Sequence, residues 1–159
     1  MTDDVTLRPI RPEDEPFLFN LYAGTRDDGL DSFDWDDADK AALLRLQFKA
    51  HQHHYATISP KAEQMIILLD GRPAGSLIVI RARKEIRLAE IVLIPEDRNR
   101  GIGGSVIRDL AKEAEVSGLP LRLHVTKFNR AIRLYRRLGF VLIGDTGTHF
   151  FMERGPKGP

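Results

Sequence analysis

Residues 92–104 read VLIPEDRNRGIGG. An apolar run is halted by Pro95 and an arginine-studded glycine loop follows. Then Val106, Ile107, Leu110, Ala111 and Ala114 recur at helical spacing until Gly118 and Pro120 end the pattern. Few architectures accommodate that order. A strand must run through the loop into a helix, so that loop amides converge at the helix N-terminus, where they cradle an anion. Gly101, Gly103 and Gly104 allow close approach of the main chain, and Arg98 and Arg100 place positive charge at the same mouth. The segment reads as a pyrophosphate site.

Three phosphate-binding loops compete for these residues. A P-loop closes its glycine run with Lys and Ser/Thr, and no Lys follows Gly104. The dinucleotide fingerprint needs a glycine where Val106 stands and an acidic residue ending the next strand, which residues 121–126 lack. The pattern R-x-x-G-x-G of acyl-CoA-dependent transferases is met by Arg98, Gly101 and Gly103. A plain connecting turn would need fewer glycines and no arginines.

Two segments resemble the GNAT acetyltransferase superfamily. IVLIPEDRNRGIGGSVI (91–107) is similar to its acetyl-CoA motif. NRAIRLYRRLGF (129–140) is similar to the motif with a tyrosine on a short helix that closes in Gly-Phe. Their order matches too, as does their separation by one helix and the strand LRLHV (121–125); with LRPIRPEDEPFL near the N-terminus, the likeness covers most of the chain. The resemblance implies a GNAT-like α/β fold. Its mixed, mostly antiparallel sheet has six to seven strands, two of them parallel and splayed, with about four helices on both faces.

The activity implied is acetyl transfer from acetyl-CoA, as cosubstrate and without a metal, to a primary amine. On that reading the backbone of Leu93 and Ile94 meets the pantetheine arm as an added strand would. Amides of Arg98, Asn99, Arg100, Gly101, Ile102, Gly103, Gly104 and Ser105 hold the pyrophosphate. Tyr135 protonates the departing thiolate, and Asn129 matches a CoA-binding asparagine. Asn129 stands six positions before Tyr135, however, where many relatives have seven.

A length of 159 residues suits one domain, expected over 1–154, with 155–159 a disordered tail. The net charge of +1 gives no overall attraction to nucleic acid or to an anionic membrane. No apolar run approaches the ~20 residues of a membrane span, and MTDDVTLRPI has no signal-peptide pattern. Zero cysteines exclude disulfides, a thiol nucleophile and a thiolate metal site, and suit a cytoplasmic setting. The expected partner is a small-molecule or peptide amine, and a homodimer is compatible with these features. A CoA-binding sensor or interaction module without transferase activity is the alternative.

Local patterning predicts a strand at Val5–Arg8, helices over 12–23 and 38–55, and between them an exposed acidic loop (25–37). Strands over 64–69 and 73–81 should form a hairpin about Asp70-Gly71. A strand over 85–93 precedes the glycine loop; strand 121–126, helix 129–138 and strands 140–144 and 148–153 follow the α-helical stretch after it.

Acetyl transfer needs a group to take the proton of the amine and a donor for the leaving thiolate. Tyr135 shares an apolar stripe with Ala131, Leu134 and Leu138, so packing alone could account for it. Two residues compete as base. His124 interrupts LRLHV where some relatives carry a glutamate, and Glu90 interrupts LAEIVLI; either belongs in the cleft, unless it is a bonded core histidine or a carboxylate paired with Arg87 or Arg122. A water chain is the third option. In HQHHY (51–55), His51 and Tyr55 continue the helix stripe of Leu44, Gln47 and Phe48, while His53 points elsewhere, against a zinc site; the resemblance implies that His51 and Tyr55 reach the acceptor pocket, and ordinary packing is the alternative. Arg130, Arg133 and Arg137 form a basic face that is either solvated or open to the 3′-phosphate of CoA.

Overall fold

Asp70 and Gly71 adopt φ of 51° and 84°, the left-handed pair that a two-residue hairpin turn requires. They join β2 (Ala62–Leu69) to β3 (Arg72–Arg81), and β4 (Ile86–Leu93) extends the antiparallel meander. The computed structural model describes residues 4–24, 36–58 and 61–156. These form a seven-stranded sheet ordered β1-β2-β3-β4-β5-β7-β6, with β1 at Val5–Pro9, β5 at Leu121–Thr126, β6 at Val141–Asp145 and β7 at His149–Arg154. The sheet is antiparallel except between β4 and β5. Four α-helices accompany it: α1 (Glu15–Gly24), α2 (Asp37–Ile58), α3 (Ile102–Ser117) and α4 (Ala131–Arg137).

Each sheet face has its own core. On one, Ile67, Leu77, Val79, Leu88, Leu121 and Leu123 pack against Val106, Ile107, Leu110 and Ala114 of α3 and against Tyr135 of α4. On the other, Ile66 meets Leu18, Leu21 and Tyr22 of α1 and Phe48 of α2. The mixed sheet with helices on both faces is as the sequence predicts.

Helix ends differ in detail. Asp36 accepts a hydrogen bond from the Asp39 amide (2.8 Å), capping α2 so that Asp37 joins the helix rather than the acidic loop. Most of that loop, 25–35, lies outside the described residues. The last helix is shorter than predicted because the Asn129 side chain accepts from the Ala131 amide (2.8 Å) and the chain turns at Gly139, φ 96°.

Two features of β4 position the site. Its parallel pairing with β5 covers only Ile86–Leu88 against Leu121–Leu123, after which the strands separate. Its register with β3 slips so that Ile78 opposes Glu90 and Val79 opposes Leu88, leaving Ala89 as an extra residue. A bulge of one residue exchanges the faces of everything beyond it. Without it Glu90 would share the α3 face with Ile86 and Leu88; with it Glu90 faces α2.

At the N-terminus, Arg8 grips the buried Asp14 through two bonds of 2.8 Å, and the Arg11 amide adds a third of 2.7 Å. The guanidinium holds the Asp14 carboxyl down at about 2, from an ordinary 3.8. Such a depressed group stabilises the fold fully above its ordinary value, and that contribution is lost as pH falls through the folded one. Asp14→Asn should cost about 1–3 kcal/mol at neutral pH. The gap between wild type and variant in urea midpoint should close from about pH 4 to about pH 2. A gap that stays constant over that window would show that the charge of Asp14 contributes nothing.

Candidate functional site

The strand, loop and helix of residues 92–104 form as the glycines and Pro95 predict. A 3-10 turn at Pro95–Asp97 leads into a loop in which Asn99 and Gly101 take φ of 62° and 81°, and α3 begins at Ile102. Ser105 closes the first helical bond to the Gly101 carbonyl (3.0 Å), so the amides of Ile102, Gly103 and Gly104 stand in the unbonded first turn.

The three glycines stand in different settings. Gly101 needs its positive φ. Gly104 is buried where α3 meets α4, and a Cβ there would make ordinary contacts, 3.4 Å from the end of the Arg108 side chain and 3.5 Å from Leu134. At Gly103 a Cβ would meet nothing but the Leu93 side chain, at an ordinary 3.9 Å. Neither conformation nor packing demands glycine there.

Sequence inspection passed over the residue that fixes this loop. Asp97, only 1% exposed, takes two bonds of 2.8 Å from Arg72 at the start of β3 and one of 3.0 Å from Arg100. The Arg72 guanidinium is the main cause that lowers its carboxyl from the ordinary value. Its only signal in the sequence was a carboxylate wedged between Pro95 and two arginines. Arg98 is also engaged, its Nε donating to the Leu93 carbonyl (3.1 Å). The Ile94 amide donates to Ala74 (2.9 Å) and its carbonyl accepts from Asp97 (3.0 Å), so the Ile94 amide is not open to an added strand. The side of β4 beyond Leu88 that faces β5 is open to one.

Tyr135 is buried on the α3 side, tilted against Phe140 with ring centroids 5.7 Å apart. Burial raises its phenol above the ordinary 10.0. Asn129 caps α4 with its side-chain oxygen, which gives it a structural task.

Across the sheet, Glu90 does not pair with Arg87 or Arg122; those arginines hold Glu85 and, for Arg122, Glu153. The carboxylate instead meets His51 of α2, whose Nε2 lies 3.2 Å from Oε1 and 3.3 Å from Oε2. Tyr22 stacks on the His51 ring at 5.1 Å, and Tyr55 meets it edge-on at 5.5 Å. Burial chiefly, and the Glu90 charge in addition, raise the Tyr55 phenol. The structure thus gathers Glu90, His51 and Tyr55 and adds Tyr22, which sequence reasoning missed. A cleft of about 370 Å³ lies against Tyr22, Gln47, Ala50, His51, His54 and Tyr55. The Gln47 side-chain oxygen is buried beside it with no donor among the described residues. Among the described residues no three His, Asp or Glu converge on a metal position.

His124 lies on the same sheet face but in a different setting. It is exposed and stacks on Phe151 at 4.4 Å, and its Nδ1 is 3.3 Å from an Arg87 guanidinium nitrogen. Burial first, then the Arg87 charge, lower its pKa from 6.5. The polar residue that interrupts LRLHV is therefore on a solvated sheet face rather than in a buried strand.

Comparison with known proteins bears on this arrangement. A family model described as Acetyltransferase (GNAT) family matches residues 18–140. PaiA N-acetyltransferase from Thermoplasma acidophilum, solved with coenzyme A, is similar at TM-score 0.69 and 17% identity, over 96% of this chain and 99% of that one. An acetyltransferase from Thermus thermophilus is similar at TM-score 0.69 and 19% identity, over 95% and 96% of the two chains. The ribosomal-protein-S18-alanine N-acetyltransferase of Escherichia coli is similar at TM-score 0.62 and 20% identity, over 94% and 92%. No curated protein matches the chain.

Proposed function

The chain belongs to the acetyltransferase (GNAT) family, and on that premise we propose that it moves the acetyl group of acetyl-CoA to a primary amine. Gly103 carries the donor assignment. Its conformation and its open surroundings do not require glycine, and it sits among the unbonded amides of α3. A side chain there would stand between those amides and a pyrophosphate. The PaiA structure, solved with coenzyme A, supports the same reading.

Acetyl-CoA supplies an activated carbonyl and a thiolate leaving group. As the amine nitrogen bonds to that carbonyl and the carbon–sulfur bond breaks, one proton must leave the nitrogen and one must reach the sulfur. The chain offers a group on each side of the gap between β4 and β5. Tyr135, a phenol that is protonated at neutral pH and that burial pushes further toward that form, is the donor from the α3 face. Glu90 is the acceptor from the α2 face, with His51 orienting its carboxylate.

His124 suits the base role less well. Arg87 can only donate, so Nδ1 spends its lone pair on Arg87 and the ring proton resides on Nε2. Protonating Nδ1 would set two cations side by side.

Thiol release from acetyl-CoA across a panel of amines tests the proposal directly; silence together with tight CoA binding would favour the non-enzymatic alternative. Gly103→Val should weaken acetyl-CoA binding at least tenfold, about 1.4 kcal/mol, with far-UV circular dichroism unchanged. Equal affinity in calorimetry would sink the loop assignment. Tyr135→Phe should lower kcat roughly 10²-fold or more with little change in acetyl-CoA affinity, because only the hydroxyl is lost. Wild-type turnover with chemistry rate-limiting would make Tyr135 a core aromatic. Glu90→Gln should lower kcat/KM by about 10²–10⁴, whereas His124→Ala should stay within about tenfold of wild type. The reverse order would return the base role to His124.

A further inference from the structure

The stacked rings of Tyr22 and His51 border two spaces. One is a narrow space of about 20 Å³ beneath α2, which Gln64, Ser76 and Glu90 also line. The other is the cleft of about 370 Å³ that Gln47, His54 and Tyr55 complete. Carboxylate and cleft are therefore neighbours across one imidazole: His51 Nε2 meets Glu90 at 3.2 Å, and the same ring lines the cleft. Tyr55, on the cleft wall, feels the Glu90 charge.

Three features of the cleft suit a positively charged nitrogen. Its walls are π-systems in mutual contact, with His51 at 5.1 Å from Tyr22 and 5.5 Å from Tyr55, and His54 at 5.1 Å from Tyr55. Aromatic faces attract a cation through the ring quadrupole. Secondly, no Lys or Arg among the described residues lines it. Arg45 of the same helix lies over the Phe19 ring at 4.7 Å instead, and Lys49 lines a groove shared with Phe48. Thirdly, the buried Gln47 oxygen has no donor among the described residues, and an acceptor left unmet is costly. The last torsion of a glutamine is broad and nearly two-fold. Turning the amide over brings its oxygen to the cleft, where a ligand N–H can meet it. The cleft is also at the small end of the range of about 300–1,000 Å³ for small-molecule sites.

Resting on the acetyl-transfer reading of Glu90, we propose that this cleft holds a second, charged nitrogen of the acceptor, so that the chain selects small diamines. One nitrogen reacts beside Glu90. The other stays an ammonium among Tyr22, His51 and Tyr55 and donates to Gln47. An alkylamine with a methyl in that place offers Gln47 no donor. An amino acid with a carboxylate there sets one acceptor against another, beside the Glu90 charge.

Thiol release from acetyl-CoA tests this with 1,3-diaminopropane, 1,4-diaminobutane and 1,5-diaminopentane. Each is compared with the alkylamine in which a methyl replaces the second nitrogen and with the amino acid in which a carboxylate replaces it. On wild type the best diamine should exceed its alkylamine in kcat/KM by at least about tenfold, and the amino acid should be the poorest of the three. Gln47→Leu and Tyr55→Leu should each lower the diamine-to-alkylamine ratio by about fivefold. Gln47→Glu keeps the oxygen and adds a charge, and should raise the ratio. A general loss of packing would slow both amines together and leave that ratio in place. Equal use of diamine and alkylamine by wild type, or a preference for the amino acid, would overturn the proposal while leaving acetyl transfer standing. A diamine preference that none of the three variants moves would overturn the assignment to this cleft. Calorimetric binding of 1,4-diaminobutane that Gln47→Leu weakens, with no amine turned over, would uphold the cation site and sink the acetyl-transfer reading.

Discussion

The separation of β4 from β5 after three paired positions is the constraint on which the rest of the molecule depends. Two neighbouring parallel strands would otherwise continue to pair, since unpaired backbone groups inside a sheet are costly. Here the base of the pair is clamped. Glu85 binds Arg87 and Arg122, Arg122 also binds Glu153 of β7, and Ile86 and Leu121 are buried beneath. Immediately beyond the clamp the Ala89 bulge bends β4. The gap is therefore built by a strong grip at one end and a bend next to it. Its open backbone edge invites an extended ligand to act as the missing strand.

The gap also sorts the chemistry by face. Tyr135 belongs to the core under α3 and α4, and Glu90 lies on the α2 face, so the proposed proton donor and the proposed acceptor stand on opposite sides of one sheet. A single extra residue decides this. Removing the bulge would return Glu90 to the apolar core of α3, where an unpaired carboxylate is expensive. At its present position it meets His51, which Tyr22 and Tyr55 hold by ring contacts. The aromatic residues of α1 and α2 thus do more than pack: they fix the partner that fixes the carboxylate.

Much of this was legible in the sequence, for identifiable reasons. The hairpin turn, the glycine loop and the start and stop of α3 are local events, each set by one or two residues with restricted backbone choices: Asp70-Gly71, Pro95, Gly101 and Gly118. The His51 and Tyr55 stripe was readable because helical periodicity places both on the face of Phe48. What escaped depends on distant partners. Asp97 has no visible partner in the sequence; Arg72, which grips it, stands 25 positions away. The bulge has no marker, since an alanine is ordinary in a strand, and hence the face of Glu90 could not be assigned. His124 shows the converse error. Its strand alternates cleanly, but only the exposure of His124 in the folded chain reveals that the polar side is wet.

Electrostatics at the anion cradle follow from the same pairings. Asp97 takes bonds from both Arg72 and Arg100, so one buried carboxylate holds two guanidinium groups in place beside the loop. Arg98 spends its Nε on a neutral carbonyl and keeps its charge. The proposed anion site thus rests on the helix amides and on the rigid mounting that this cluster gives them. Such a cradle is formed before the ligand arrives, and a preformed site loses less of its binding energy to ordering side chains.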